Sequence, residues 1–226
     1  MKRGLSLLFA VLASLAVPTT AHAASTVPLG AGSTVVIQQA SGASPGQCAL
    51  AAVGTDAQGR TLGLTAGHCA VVGDRILTAD RRTVVGTVVT SKRFPGDGVF
   101  VFDALDYAFI EFTDVVRPAR TTPVAISGVG RPTVGEVVCK YGAGDVDPGE
   151  RCGVVDRTAP REFSALLFGS FGDSGGPVHA GGQLIGILSR PSGIPYVSGV
   201  ISTRADAAIA DAARTGAIGG TFRPLA

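Results

Sequence analysis

From Thr34 onward the chain is broken into short apolar runs, rich in Val, Ile and Thr, that alternate with clusters of Gly, Pro, Asp and Ser. Runs of this length and composition form strands, and the clusters between them form turns. Strands are expected near 34–38, 48–53, 61–66, 75–79, 83–90, 98–102 and 107–112, and again near 124–127, 134–140, 151–156, 164–168, 176–179, 183–189 and 196–202. Asp56-Ala57-Gln58-Gly59 marks a hairpin loop, and Asp114 to Pro123, with two prolines and few bulky apolar residues, marks a linker. Only the end changes character. Thr203 to Arg214 is Ala-rich, with Thr203 placed to cap a helix and Gly216 placed to close it.

The start is different again. Met1-Lys2-Arg3 is basic, Leu5 to Val17 is apolar, and Ala21-His22-Ala23 is an A-x-A-type cleavage signal. This is the pattern of a secretory signal peptide over residues 1–23. The apolar run is well short of the roughly 20 residues that span a bilayer, and no later segment qualifies, so no membrane span is expected after cleavage. Residues 24–33 are small and polar and are expected to be loose. The formal charge of the 226 residues is +2 with no basic run, which gives no reason to expect a nucleic-acid partner. Four cysteines in an exported chain favour disulfides. The sequence allows three pairings of them. Neither a C-x-x-C nor enough histidine supports a metal site, and no cofactor is implied.

Three short segments carry chemistry. Phe171-Gly172-Asp173-Ser174-Gly175-Gly176-Pro177 sets a serine among glycines, where backbone N–H groups can converge on one point and another chain can approach closely. A serine hydroxyl needs a positioned base to act as a nucleophile. Thr65-Ala66-Gly67-His68-Cys69 follows an apolar run and offers one; His22 leaves with the leader, and His179 lies on the strand leaving Ser174. Asp106-Tyr107-Ala108-Phe109-Ile110 offers a carboxylate at the start of a strand. Taken together, in the order His, Asp, Ser, these segments resemble the three motifs of chymotrypsin-like serine peptidases, and most closely the compact secreted bacterial branch of streptogrisins and α-lytic protease.

The resemblance implies an all-β fold of two packed six-stranded antiparallel barrels with a short C-terminal helix. The first barrel would span 34–116 and carry His68 and Asp106; the second, 117–226, would carry Ser174. It implies that Asp106, not the turn residue Asp103, orients His68, and that the N–H groups of Gly172 and Ser174 form an oxyanion hole. It implies disulfides Cys48–Cys69 and Cys139–Cys152, and a buried partner for Asp173. In the bacterial branch that partner is a basic residue just after a cysteine, here Lys140. The relatives' large pro-region has no room between Ala23 and Cys48.

Specificity is expected to involve Phe168, Phe171, Ser189, Arg190 and Pro191. Phe168 stands at the base of the primary pocket where Lys- or Arg-specific relatives carry an acid, which points to a shallow apolar pocket. Leu188 stands where glutamate-specific relatives carry histidine. Ser189 matches the substrate-pairing strand, whereas Arg190 and Pro191 depart from it, and Pro191 has no N–H to offer an extended peptide. Arg190 is expected to narrow the cleft or to meet acidic substrate residues. The expectation is a monomeric, secreted endopeptidase acting on peptide or protein through an acyl-enzyme. Two rivals share the sequence: a weak or inactive binding protein on the same fold, and an esterase using the same triad.

Overall fold

Two strand ladders organise the residues that the structure, a computed structural model, describes: 26–94, 102–119, 123–142, 144, 149–193 and 199–225. The first half contains β1 (Val27–Leu29), β2 (Thr34–Gln38), β3 (Gly46–Ala49), β4 (Ala52–Thr55), β5 (Thr61–Thr65), β6 (Arg75–Thr78), β7 (Val84–Lys92), β8 (Tyr107–Phe112) and β9 (Val116–Pro118). The second contains β10 (Gly128–Val129), β11 (Val137–Gly142), β12 (Gly149–Thr158), β13 (Glu162–Leu166), β14 (Pro177–Ala180), β15 (Gln183–Pro191) and β16 (Val200–Arg204), then helix α1 (Ala205–Thr215) and β17 (Arg223–Pro224).

The second ladder runs β15-β14-β11-β12-β13-β16 and closes by pairing β16 back to β15, a six-stranded barrel with β10 added outside. The first runs β17-β4-β5-β8-β7-β6-β2-β3 and remains open as a ladder. Its two flanks are nevertheless joined: the strand expected over 48–53 bends at Leu50-Ala51, so β3, at one end, pairs with β2, and β4, next to the other end, pairs with β5. The sheet curls back on itself through that covalent corner.

Period-two alternation then decides what each face meets. Along β8, Ala108, Ile110 and Phe112 enter the core of the first sheet, while Tyr107 and Phe109 enter a second core. That second core holds Leu62 and Leu64 of β5, Leu184 and Ile187 of β15, and Ala205, Ala208 and Ala212 of α1. It is the layer between the two ladders, and the site lies at its rim.

Several expectations are corrected. The segment 24–33, expected to be loose, contains β1, which pairs in parallel with β9 inside the linker. No strand forms at 124–127; Val124 and Ile126 are buried in the inter-ladder core as extended chain, and β10 follows them. The expected strand 98–102 lies outside the described residues except Phe102, which is not in a strand. The leader also lies outside the described residues. Thr203 does not cap α1: β16 continues through Arg204, and the Thr203 hydroxyl instead accepts the Asp106 N–H at 3.1 Å. The Asp56 hairpin forms between β4 and β5, with Asp56 Oδ1 accepting the N–H groups of Gln58 and Arg60.

Helix α1 is fastened to the first sheet through Asp211, which accepts from Lys92 Nζ at 2.9 Å, from the Tyr107 hydroxyl at 2.9 Å and from Arg214. Burial alone would raise the Asp211 carboxyl, but the hydrogen bonds from Lys92, Arg214 and Tyr107 outweigh it and hold it below the ordinary carboxylate value. Burial likewise pushes the Tyr107 hydroxyl well above its usual range. A depressed carboxyl stabilises the fold fully above its unfolded value, near about 3.9. That contribution is lost as pH falls through the folded value. Asp211→Asn is therefore expected to lower the urea midpoint at neutral pH and to flatten its decline below about pH 4. Parallel curves for variant and wild type across that range would refute the assignment.

Candidate active site

Asp106 is fully buried at the head of β8. Its Oδ2 lies 2.7 Å from His68 Nδ1, and its Oδ1 accepts the His68 backbone N–H at 2.7 Å. The Ser189 hydroxyl also donates to Oδ2. The carboxylate is thus hydrogen-bonded on both oxygens, as a buried charge requires. His68 sits in a 3₁₀ turn, Gly67–Cys69, directly after β5, and its side chain is 21 % exposed. One edge of the ring is fixed by a buried acid, and the other carries Nε2, 4.0 Å from Cys69 Sγ. Cys69, the next residue, is bridged to Cys48 on β3.

Ser189 reaches Asp106 because β15 is irregular there. The β15–β16 register shifts between Leu188 and Arg190, and such a bulge re-aims side chains.

Ser174 is half-buried in the turn before β14. Gly172 and Gly175 take left-handed conformations, φ 95° and 81°. At Gly175 the space is also closed: a Cβ would fall 2.0 Å from Thr65 Oγ1. Only glycine lets this turn pack against the end of β5, three residues before His68. The Ser174 carbonyl accepts the Ala49 N–H at 2.8 Å, so the turn is also anchored to β3. No hydrogen bond joins Ser174 Oγ to His68 Nε2 among the described residues; in resting enzymes such contacts are often long. The N–H groups of Asp173, Gly175 and Gly176 donate to carbonyls, whereas those of Gly172 and Ser174 have no acceptor among the described residues. Two undonated N–H groups, one of them the serine's own, therefore lie in this turn.

Asp173 points away from that space. Lys140 Nζ donates to its Oδ2 at 2.6 Å, and both side chains are fully buried. Ser170 N and Oγ donate to the same oxygen, and Gly144 N to Oδ1. Lys140 lies on β11, between β12 and β14, close to the disulfide Cys139–Cys152.

Of the residues expected to meet substrate, Phe171 is 77 % exposed and Phe168 half-buried. Pro191 ends β15, opposite Val200. Arg190 corrects its expectation. It is only 6 % exposed, and its guanidinium forks onto the buried carboxylate of Glu162 at 2.6 and 3.0 Å. A charge neutralised in this way neither narrows the cleft as a free cation nor greets acidic substrate residues. Sequence reasoning missed Glu162; it sits in an ordinary strand with nothing nearby to mark it. His179 lies 3.3 Å from Glu150, and burial lowers its imidazole below the ordinary value. The cluster Cys139, Glu150 and Cys152 has its two sulfurs in the disulfide. No helix among the described residues is long and apolar enough to cross a membrane.

No family model matches the sequence, and no curated protein matches it. Solved structures do. The chain is similar to Thermobifida fusca protease A, with TM-score 0.62 and 22 % identity over 88 % of this chain and 100 % of that one. It is also similar to a Cellulomonas bogoriensis chymotrypsin, with TM-score 0.59 and 22 % identity over 88 % and 99 % of the two chains. An inactivated protease paralogue of the scabies mite matches with TM-score 0.59 and 15 % identity over 87 % and 100 %. The fold is that of the bacterial chymotrypsin-like serine proteases. Because inactivated chains share it, activity has to be argued from the residues.

Proposed function

We propose that this chain is an exported serine endopeptidase, released after cleavage near Ala23. The observation that carries the proposal is the buried Asp106 holding His68 Nδ1 at 2.7 Å, together with a glycine-rich turn, packed against the end of β5, that carries Ser174 and two undonated N–H groups. In this reading the Ser174 oxygen attacks the scissile carbonyl and His68 Nε2 takes its proton. Asp106 Oδ2 accepts from Nδ1–H, which fixes the tautomer and stabilises the imidazolium. The carbonyl oxygen becomes an oxyanion between the N–H groups of Gly172 and Ser174. His68 returns the proton to the leaving amine. Water then attacks the acyl-enzyme with His68 again as base. No metal or organic cofactor takes part.

Phe168 and Phe171 give the primary pocket an apolar character, suited to small or medium apolar residues and unsuited to Lys or Arg, whose charge would go unpaired. Export is supported by the two disulfides. Labelling by a fluorophosphonate probe that disappears in Ser174→Ala tests the proposal; a folded, disulfide-bonded wild type that takes no probe would overturn it.

Pro191 favours a second reading, a binding protein that hydrolyses little. Arg190, engaged by Glu162, lends that reading no support. Under the peptidase reading, Pro191→Gly restores one N–H to the substrate-pairing strand. It should raise kcat/KM on extended peptides by about fivefold, the worth of one hydrogen bond, and leave small esters unchanged. Equal effects on both substrates would show that Pro191 acts elsewhere.

A further inference from the structure

Asp106 belongs to the first sheet, yet much of what holds it comes from the second barrel. Its N–H donates to Thr203 on β16, and its Oδ2 accepts from Ser189 on β15. The turn that delivers it is held from the same side. Asp103 has a left-handed backbone, φ 72°, which a non-glycine residue adopts only when its surroundings enforce it. Its Oδ1 accepts the Arg161 N–H at 2.7 Å, and its own N–H donates to Glu162 Oε2 at 2.7 Å. Glu162 opens β13 and Arg161 directly precedes it, so the second barrel sets the conformation of a first-sheet turn.

Glu162 is fully buried, and Arg190 supplies its counter-charge through a two-pronged contact. Arg190 does two further things. Its Nη1 donates to Ser189 Oγ at 3.3 Å, which occupies an acceptor site on that hydroxyl and leaves its proton for Asp106. Its guanidinium carbon lies 4.9 Å from the centre of the Phe94 ring, and Phe94 lies 5.8 Å from the His68 ring. One buried ion pair thus bears on the turn before Asp106, on the hydroxyl at its carboxylate and on the aromatic ring beside His68.

We infer that Glu162 and Arg190 are positioning residues for the Asp106–His68 pair, an inference that rests on the peptidase reading above. Neither touches substrate. Glu162 aligns the segment that presents Asp106, and Arg190 aligns Ser189 and Phe94 around the carboxylate and the imidazole. The alternative is a buried pair that only supports the fold.

Glu162→Gln, Arg190→Met and the double variant distinguish the two. A buried ion pair can often be replaced whole by uncharged groups without loss of stability, while removing one partner orphans the other. The single variants should therefore lower the urea midpoint, and the double variant should largely recover it. Positioning predicts that kcat in the double variant nevertheless stays about 10- to 100-fold below wild type, because a small misplacement costs that much. KM should stay within about threefold, since uniform binding is untouched. Among the described residues, the charged groups bearing on His68 are Asp106 and, beyond Phe94, Arg190, Glu162 and Arg93, whose guanidinium carbon is 6.0 Å from that ring's centre. With both buried charges gone and Asp106 poorly aligned, the pH profile of kcat/KM should differ from that of the wild type.

A double variant that regains stability, kcat and the wild-type pH profile together would overturn the inference. If the double variant does not fold, Arg190→Lys keeps a charge beside Glu162 but cannot span both its oxygens and Ser189; wild-type kcat and pH profile there would equally overturn it. The His68 ring titration, followed by NMR in the resting proteins, reads the same alignment without substrate. If the wild type takes no fluorophosphonate, the peptidase reading fails by itself. Identical His68 titrations in wild type and double variant would then sink the positioning role separately.

Discussion

Ser174→Ala is expected to lower kcat/KM on peptide substrates by about 10⁴- to 10⁶-fold while leaving the urea midpoint unchanged. The size follows from what remains. Without the hydroxyl there is no acyl-enzyme, and water must attack the carbonyl directly. The undonated N–H groups of Gly172 and Ser174 belong to the backbone and persist, so residual stabilisation of the oxyanion keeps the rate above the uncatalysed one. Stability should not move, because Ser174 anchors its turn through its carbonyl, which accepts from Ala49 N. His68→Ala should be about as severe, and the two losses should not add, since in the proposed mechanism serine and imidazole act as one unit. Turnover by Ser174→Ala at more than a few per cent of wild type would remove Ser174 from the mechanism.

Lys140→Ala is expected to destabilise the protein by about 3–5 kcal/mol, the usual effect of removing one partner of a buried pair. Lys140 and Asp173 are both fully buried at 2.6 Å, and Lys140 lies in an interior strand, so water cannot take over as the counter-charge. For a domain of this size that corresponds to a Tm lower by roughly 10 °C. Activity should fall as well. The Asp173 carboxylate gathers Ser170 and Gly144 as well as Lys140, and the turn bearing Gly172 and Ser174 is built around it. A carboxylate seeking new partners would turn that backbone, and losing one oxyanion donor costs about 10²- to 10³-fold in kcat. Denaturation and kinetics on the same variant check both parts. Stability within about 0.5 kcal/mol of wild type, as for an ordinary surface change, would mean that Lys140 contributes nothing as a buried partner.

Local sequence carried most of the strands, for a physical reason. Strand formation depends on the alternation and branching of nearby side chains, so β2, β5, β6 and β8 lie within a residue or two of their expected positions. Turns depend on a few residues, so Asp56 to Gly59 was legible as a hairpin. His68, Asp106 and Ser174 stood out as candidates because each lies in a short segment whose neighbours suit the proposed chemistry: small residues before the histidine, apolar ones after the aspartate, and glycines around the serine.

Tertiary structure alone decided whatever depends on a partner distant in the chain. β1 forms because β9 offers an edge, although Val27–Leu29 lies in a segment with little strand character of its own. Thr203 has the chemistry of a helix cap, but β16 keeps its strand and brings its hydroxyl to Asp106 N, 97 residues away. Arg190 looked like a free cation in the cleft. It is a buried one, because the β15 bulge and the start of β13 place it against Glu162, and a buried guanidinium is stable only where such a carboxylate meets it. The sequence by itself marked which residues could do chemistry and where most of the strands lie, since both are largely local properties. That Glu162 neutralises Arg190, and that the second barrel steadies Asp106, are long-range pairings that no local pattern encodes.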